Sequence, residues 1–346
     1  MPAGSGLRVL KFEEERAMAV LVVGGAGYIG SHAARILRRH GYEALLYDNL
    51  STGHELLAKG FELIISDIAD VDCLRNVLRR VDAVMHFAAH AYVGESVENP
   101  RKYFRNNVEA ALTLLNAALD AGVRRFIFSS TCAVYGTPAR IPITEDVPRQ
   151  PVNPYGVTKL FLENALEAYD RAYGLRFASL RYFNAAGADE SGEIGELHDP
   201  ETHLIPLALA ATDAEGPGLH VFGSDYPTAD GTCIRDYIHV NDLAEAHVRA
   251  LERIADGSPS FAVNLGTGKG HSVMGVIHMV EEVTGRAVRR QVAERRSGDP
   301  PALVADPGRA QQLLAWTASR DLHDIVSTAW KWRESSRLNA YSRRPT

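Results

Sequence analysis

The 346-residue chain is 46% hydrophobic, 23% charged and 8% aromatic, a globular mixture that excludes collagen-like, low-complexity and largely disordered architectures. Its 37 Lys and Arg against 43 Asp and Glu leave a formal charge of −6, the wrong sign for a protein whose main partner is nucleic acid. Cys73, Cys132 and Cys233 are scattered and lack CxxC spacing, so neither a disulfide framework nor a zinc cage is indicated, and with no run near the roughly 20 apolar residues of a membrane span a cytoplasmic protein with no membrane partner is expected.

Residues 1–17, with Glu13-Glu14-Glu15 and no clear periodicity, read as a disordered extension outside the fold. From Ala19 onward, short apolar runs alternate with helical stretches. Strands are predicted at Val20 to Val23, Ala44 to Tyr47, Leu63 to Ile65, Ala83 to Phe87, Phe126 to Phe128 and Phe177 to Leu180. Strands separated by helix-length segments predict βαβ units: an α/β fold with a Rossmann-type, doubly wound parallel sheet over residues 18–183. After Asn184 the rhythm breaks into Gly- and Pro-containing loops, with helical patches at Leu204 to Ala211, Leu243 to Ile254 and Val276 to Val283. These predict a smaller mixed α/β substrate-binding domain over 184–340, capping the carboxyl ends of the strands, with a chain crossover between the two left open.

The first strand runs into Gly24-Gly25-Ala26-Gly27-Tyr28-Ile29-Gly30. Glycines permit the tight turn, let backbone N–H groups approach a pyrophosphate and allow close packing of helix on strand. The second strand ends in Asp48, 18 residues after Gly30, where a carboxylate can accept hydrogen bonds from a ribose. Asp48 would repel a 2′-phosphate, so NAD is expected over NADP. The competing reading is a structural turn, with Asp48 capping the next loop. Asp67 is a candidate for the adenine amino group, and equally a loop or helix N-terminal carboxylate.

Asn153-Pro154-Tyr155 opens another helix, with Asn153 at the N-cap and Pro154 at the first helical position. Tyr155 and Lys159 then share one helix face. A phenol acting as a base near pH 7 needs its pKa lowered by about 3 units, or about 4 kcal/mol, and one ammonium at about 4 Å supplies up to about 4 kcal/mol. Thr131, at the end of the fifth strand, sits where a hydroxyl can relay a substrate proton towards Tyr155, with Ser129 and Ser130 as competitors. His86 and His90 lack an evident third ligand, so no metal is expected.

In this order, Gly24-x-x-Gly27-x-x-Gly30, the Ser/Thr strand end and Tyr155-x-x-x-Lys159 resemble the extended short-chain dehydrogenase/reductase family. Longer blocks, including Tyr92-Val-Gly-Glu-Ser96, Leu180-Arg-Tyr-Phe-Asn184, Gly231-Thr-Cys-Ile-Arg235 and Arg296-Ser-Gly-Asp299, resemble its UDP-glucose 4-epimerase branch. The resemblance runs from Met18 to near the C-terminus.

It implies NAD as cofactor and a UDP-sugar as substrate. The cofactor contacts it implies are Gly24, Gly27, Tyr28, Ile29, Gly30, Asp48, Asn49, Asp67, Ile68, Phe87, Ala88, Ala89, Asn106, Tyr155, Lys159 and Tyr182. Asn184, His203, Leu204, Phe222, Arg235, Arg296 and Asp299 would contact uridine or diphosphate, Thr131 the reacting sugar, and Leu303 would gate the sugar pocket. The implied chemistry is transient oxidation at C4: Tyr155 takes the 4-hydroxyl proton, a 4-keto sugar turns over, and reduction from its other face inverts C4. Helices near Asn107 to Ala121 and Asn153 to Tyr173 would pair in a homodimer. UDP-N-acetylglucosamine and UDP-xylose or UDP-arabinose are alternative substrates, since Leu303 is intermediate in size between the Tyr and the small residues of relatives. Ala91 stands where some relatives carry Lys. A dehydratase would place Asp-Glu after Thr131, whereas this chain has Cys132-Ala133, and an NAD-sensing module would not need Thr131, Tyr155 and Lys159 together.

Overall fold

A computed structural model describes residues 17–296 and 300–335, so the expected extension over 1–17 lies, apart from Ala17, outside the described residues, as do 336–340. The first strand, β1 (Ala19–Val23), is an Ala-Val-Leu-Val-Val run buried at every position. A strand apolar on both faces belongs inside a parallel sheet covered on both sides. Its side chains alternate accordingly. Val20 and Val22 pack with Ile36, Leu37, Leu243 and Leu251, while Leu21 and Val23 pack with Leu74, Leu114, Leu115 and Leu162.

The chain continues through β2 (Glu43–Asp48), β3 (Glu62–Ile65), β4 (Ala83–His86), β5 (Arg125–Thr131) and β6 (Arg176–Tyr182). Each predicted strand is present, with ends shifted by up to three residues. Phe87 falls just outside β4, and β5 runs on to make Thr131 its last residue. After β6 come β7 (Asn184–Ala186), β8 (Leu219–Phe222) and β9 (Ile234–His239), and then β10 (Phe261–Leu265) returns to pair with β6. The seven parallel strands lie in the order β3-β2-β1-β4-β5-β6-β10. Helices Tyr28–Arg39 and Val240–Ala255 cover one face; Val71–Leu78, Ala111–Asp120 and Pro154–Tyr173 cover the other. Residues 240–265 are thus built onto the large sheet.

In the smaller sheet β9 is the hub. It pairs with β7, with β11 (Gly270–Ser272) and, after β12 (Arg290–Ala293), with β13 (Ala302–Leu303), while β12 pairs with β8. Ile205, Leu209, Val221, Tyr237, Ile277 and Ile325 fill the core beneath it. Because strand order reverses between β1 and β4, their carboxyl ends diverge and leave a crevice, the place where such sheets bind ligands. No helix among the described residues is long and apolar enough to cross a membrane.

Candidate functional site

A cleft of about 540 Å³ opens at the carboxyl ends of β1, β2, β4, β5 and β6. One wall is the glycine turn. Gly24 adopts φ +81°, and a Cβ there would lie 2.5 Å from Ala88 N; a Cβ on Gly30 would lie 2.2 Å from Gly24 O. Both positions therefore exclude any side chain. Helix Tyr28–Arg39 begins at the cleft, and its N-cap, Gly27, supplies no side-chain cap to the first-turn N–H groups. Tyr28 is pinned by donating its hydroxyl to Gly187 O at 2.6 Å.

Asp48 closes β2 at the cleft, nearly buried. Its Oδ2 accepts from Ala26 N at 3.0 Å and its Oδ1 from Leu50 N at 2.9 Å. Burial raises its pKa, and these two N–H bonds pull against that. Asp48 therefore combines both readings: it caps the loop and presents a carboxylate to the cleft. Asn49, Ile68, Phe87, Ala88, Ala89 and Asn106 also line the cleft, whereas Asp67 is not among the lining residues. Asp67 instead accepts from Asn49 Nδ2 at 2.7 Å and Ala69 N at 2.8 Å, which holds Asn49 in place.

Strand alternation sorts the three hydroxyls at the end of β5. Ser129 and Thr131 face the cleft; Ser130 points the other way and donates to Glu163 Oε1 at 2.5 Å. Opposite them, Asn153 Oδ1 accepts from Gly156 N at 2.9 Å and Pro154 occupies the first turn, starting the 20-residue helix as the sequence predicts. This start brings Tyr155 and Lys159 to the cleft together, and Thr131 hydrogen-bonds the Tyr155 phenol. Lys159 Nζ donates to Ser129 O at 2.8 Å and lies 5.9 Å from the centre of the Tyr155 ring. Burial pushes the phenol well above its ordinary range, with Tyr182 adding to the rise and Thr131 opposing it. Burial likewise pushes the Lys159 ammonium down to about 7, against the pull of Glu163. In the protein alone both groups are dehydrated, and burial drives both towards their neutral forms.

On the far wall Tyr182, Asn184, His203, Arg235 and Leu303 line the cleft, as does Ala91. Tyr182 Oη is hydrogen-bonded to Ser129 Oγ. Arg235 Nη1 donates to the carbonyls of Ile234 and Pro300 at 2.8 and 3.0 Å, which aims the guanidinium from β9. Leu204 starts helix Leu204–Ala210 and packs on the small core. Phe222 and Arg296 are brought together, the guanidinium 4.0 Å from the ring centre, away from the lining residues. Asp299 lies outside the described residues. His86, fully buried between Phe126 and Phe128, is pushed down to about 3 by burial and by Lys159, a neutral core imidazole.

Residues 20–266 match the NAD dependent epimerase/dehydratase family. The chain belongs to that family. It is 51% identical over 315 residues to the UDP-glucose 4-epimerase of Rhizobium meliloti, an alignment covering 90% of this chain and 96% of the relative. The structure of UDP-glucose 4-epimerase from Brucella ovis in complex with NAD superposes with a TM-score of 0.89 at 51% identity, covering 91% of this chain and 98% of the other. That from Bifidobacterium longum in complex with NAD+ and UDP gives 0.87 at 37% identity, covering 91% and 98%.

In a dehydratase an Asp-Glu pair is expected after Thr131. Here Cys132 and Ala133 line the cleft, and burial pushes the thiol up to about 11, so no carboxylate follows Thr131. The cofactor is NAD, and the site fits it. The two glycine contacts hold the turn tight against its own backbone at the start of an uncapped helix, as a diphosphate-binding turn requires, and the cleft carboxylate of Asp48 suits a ribose hydroxyl and repels a 2′-phosphate.

Sequence reasoning singled out His203 but passed over its partners. His203 Nδ1 lies 2.8 Å from Glu196 Oε1 and 3.1 Å from Glu201 Oε1, with His198 Nδ1 3.2 Å from Glu196 Oε1. Burial alone would lower both imidazoles; the two carboxylates overcome it and raise His198 to about 9 and His203 to about 10. The spacing Glu-x-His-x-x-Glu-x-His is visible in the chain, where residues 196–203 carry five carboxylate or imidazole side chains in eight residues.

Proposed function

We propose that this chain is an NAD-dependent isomerase that interconverts UDP-glucose and UDP-galactose by inverting C4 of the hexose through a 4-keto intermediate. The observation that carries this reading is that Thr131, Tyr155 and Lys159 face the same cleft as the glycine turn and Asp48, in a chain of this family. NAD, when bound, supplies the acceptor for the electron pair leaving C4 and the donor that returns it. The turn from Gly24 to Gly30 and the helix behind it hold the pyrophosphate, and Asp48 holds a ribose.

Tyr155, as phenolate, takes the proton of the sugar 4-hydroxyl and returns it to the 4-keto oxygen when the electron pair comes back to the other face of C4. Thr131, hydrogen-bonded to that phenol, orients the hydroxyl. Lys159, tied to the Ser129 carbonyl, places its amine near the ring, where in its charged form it stabilises the phenolate. Inversion also requires that the keto sugar turn over while the rest of the substrate stays put. Arg235 supplies a guanidinium fork for the diphosphate, and Asn184 and His203 flank it, so binding energy is concentrated away from the reacting ring.

Several finer assignments belong to the same reading. Exposed Phe104, Val157 and Phe161, on helices Pro100–Phe104 and Pro154–Tyr173, support pairing of two copies through this face. Cys73 and Cys132, both free thiols, support a reducing, cytoplasmic location. A dinucleotide-binding unit up to 183 and a UDP-sugar unit from 184, with 240–265 crossing back, divide the work.

The deciding experiment incubates the protein separately with UDP-galactose, UDP-N-acetylgalactosamine and UDP-xylose and reads C4 stereochemistry by NMR. Inversion of UDP-galactose is expected. Inversion of only the N-acetyl or pentose substrate moves the assignment to that sugar, and inversion of none, with folded NAD-loaded protein, ends it.

A further inference from the structure

At the mouth of the cleft, Glu196, His198, Glu201 and His203 converge: each offers one donor atom, and the four atoms lie within 4.8 Å of one another. Three of the separations are 3.2 Å for His198 Nδ1 to Glu196 Oε1, 2.8 Å for His203 Nδ1 to Glu196 Oε1, and 3.7 Å for His198 Nδ1 to Glu201 Oε2. A tetrahedral zinc ion with bonds of about 2.0–2.1 Å to nitrogen and oxygen sets its ligands roughly 3.3 Å apart, and these three separations bracket that edge length.

A second observation points the same way. Glu196 Oε1 and His198 Nδ1 are buried and make no aligned hydrogen bond, although Glu196 Oε1 lies 3.2 Å from His198 Nδ1 and 2.8 Å from His203 Nδ1. The Glu196 side chain is only 6% exposed. Two polar atoms this close and this buried, with no aligned hydrogen bond between them, are donors that an ion set among them would satisfy.

The surroundings hold the donors in place. Glu201 Oε1 accepts from Thr202 N and His203 N at 2.7 and 2.8 Å, which leaves Oε2 for an ion. Tyr28 and Tyr92 set ring edges against His198, with centres 6.2 and 6.4 Å away. Tyr92 Oη also donates to Pro200 O at 3.2 Å, and Trp332 Nε1 to Glu196 O at 2.9 Å. By contrast Asp321, His323 and Asp324, which also come together, are exposed, and the two carboxylates there are taken up by a helix capping box.

We propose that Glu196, His198, Glu201 and His203 form a structural zinc-class cation site that fastens residues 196–203 across the mouth of the cleft. Two imidazole nitrogens with two carboxylate oxygens select zinc over magnesium or calcium, which take oxygen sets. Four protein donors close the coordination shell, so the ion is a fastening and not a reactant. His203 binds it through Nδ1, which leaves Nε2 for the substrate side.

The test uses the untagged full chain with its cofactor, stripped with a chelator and passed through gel filtration after incubation with zinc chloride. Elemental analysis should find about one zinc per chain, held with a Kd below about 1 μM. Zinc should also raise Tm by roughly 5 °C. Cobalt in place of zinc should give the intense visible bands of a tetrahedral site. His198→Ala and Glu196→Ala should lose the stoichiometric ion, and His323→Ala, in the exposed cluster, should keep it. Zinc below about 0.1 per chain, unchanged affinity in His198→Ala, or an octahedral cobalt spectrum would each overturn the proposal. If the variants do not fold, the wild-type cobalt spectrum decides alone. None of these readouts depends on turnover.

Discussion

Lys159 Nζ donates to the main-chain carbonyl of Ser129 at 2.8 Å, a bond that joins the helix carrying Tyr155 to the strand carrying Thr131. The bond fixes where the cation sits, 5.9 Å from the centre of the Tyr155 ring, and burial sets its titration near 7. Lys159→Met removes the cation at nearly constant bulk and should lower kcat by about 10²- to 10³-fold. It has a second signature in cofactor-stripped protein. A buried lysine with a depressed pKa binds fewer protons when folded than when unfolded, so between about pH 7 and 10 it makes stability rise with pH, by up to about 1.4 kcal/mol per unit. Urea midpoints of wild type relative to Lys159→Met should therefore climb across that window. A flat difference would mean that Lys159 is not dehydrated.

Tyr155→Phe removes one oxygen and leaves the ring where it packs. Loss of the acid-base group should cut turnover by about 10³-fold or more, with cofactor content and Tm nearly unchanged. Thr131→Val, which keeps the shape but not the hydrogen bond to the phenol, should cost less, about 10- to 10²-fold. Undiminished turnover in Tyr155→Phe would remove the central chemical assignment.

Asp48 serves the turn and the cleft at once, through Ala26 N and Leu50 N. Asp48→Asn keeps the size but weakens both charge-assisted bonds and removes the charge that repels a 2′-phosphate. Affinity for NAD should fall about 10- to 10²-fold, and the preference over NADP should shrink, as titration calorimetry on stripped protein would measure. An unchanged preference would move the discrimination elsewhere.

What was legible in the sequence was local. The run from Val20 to Gly30 states strand, turn and helix within eleven consecutive residues, and Asn153-Pro154 announces the helix that puts Tyr155 and Lys159 on one face. What was hidden depends on distant pairing. Phe261–Leu265 is too short an apolar run to be told from a buried helix segment, and it becomes a strand only because β6 offers an edge. The partner of Lys159 is a backbone carbonyl, which no residue type can advertise. The upward shift of the Tyr155 phenol has the same origin, since burial is a property of the assembled cleft.

Glu163 lies one helical turn beyond Lys159 and never reaches the cleft, yet it anchors the strand that does. Its Oε1 accepts from Ser130 Oγ at 2.5 Å and Arg181 Nε at 2.9 Å, and its Oε2 from Arg181 Nη2 at 2.7 Å. Burial alone would raise this carboxyl, but Arg181, Ser130 and Arg149 together hold it below its ordinary value. Glu163→Gln leaves the Arg181 charge uncompensated inside the protein and should cost about 3 kcal/mol. Because the folded carboxylate binds its proton less readily than the unfolded one, its stabilisation is complete above the ordinary carboxylate pKa and disappears as pH falls through the folded value. The gap in urea midpoint between wild type and Glu163→Gln should therefore be widest at neutral pH and narrow below about pH 4. Turnover should fall less than in Tyr155→Phe, since Glu163 positions Ser130 and its neighbours and touches no reacting atom. A gap that widened in acid would show that the ion pair does not carry the stabilisation.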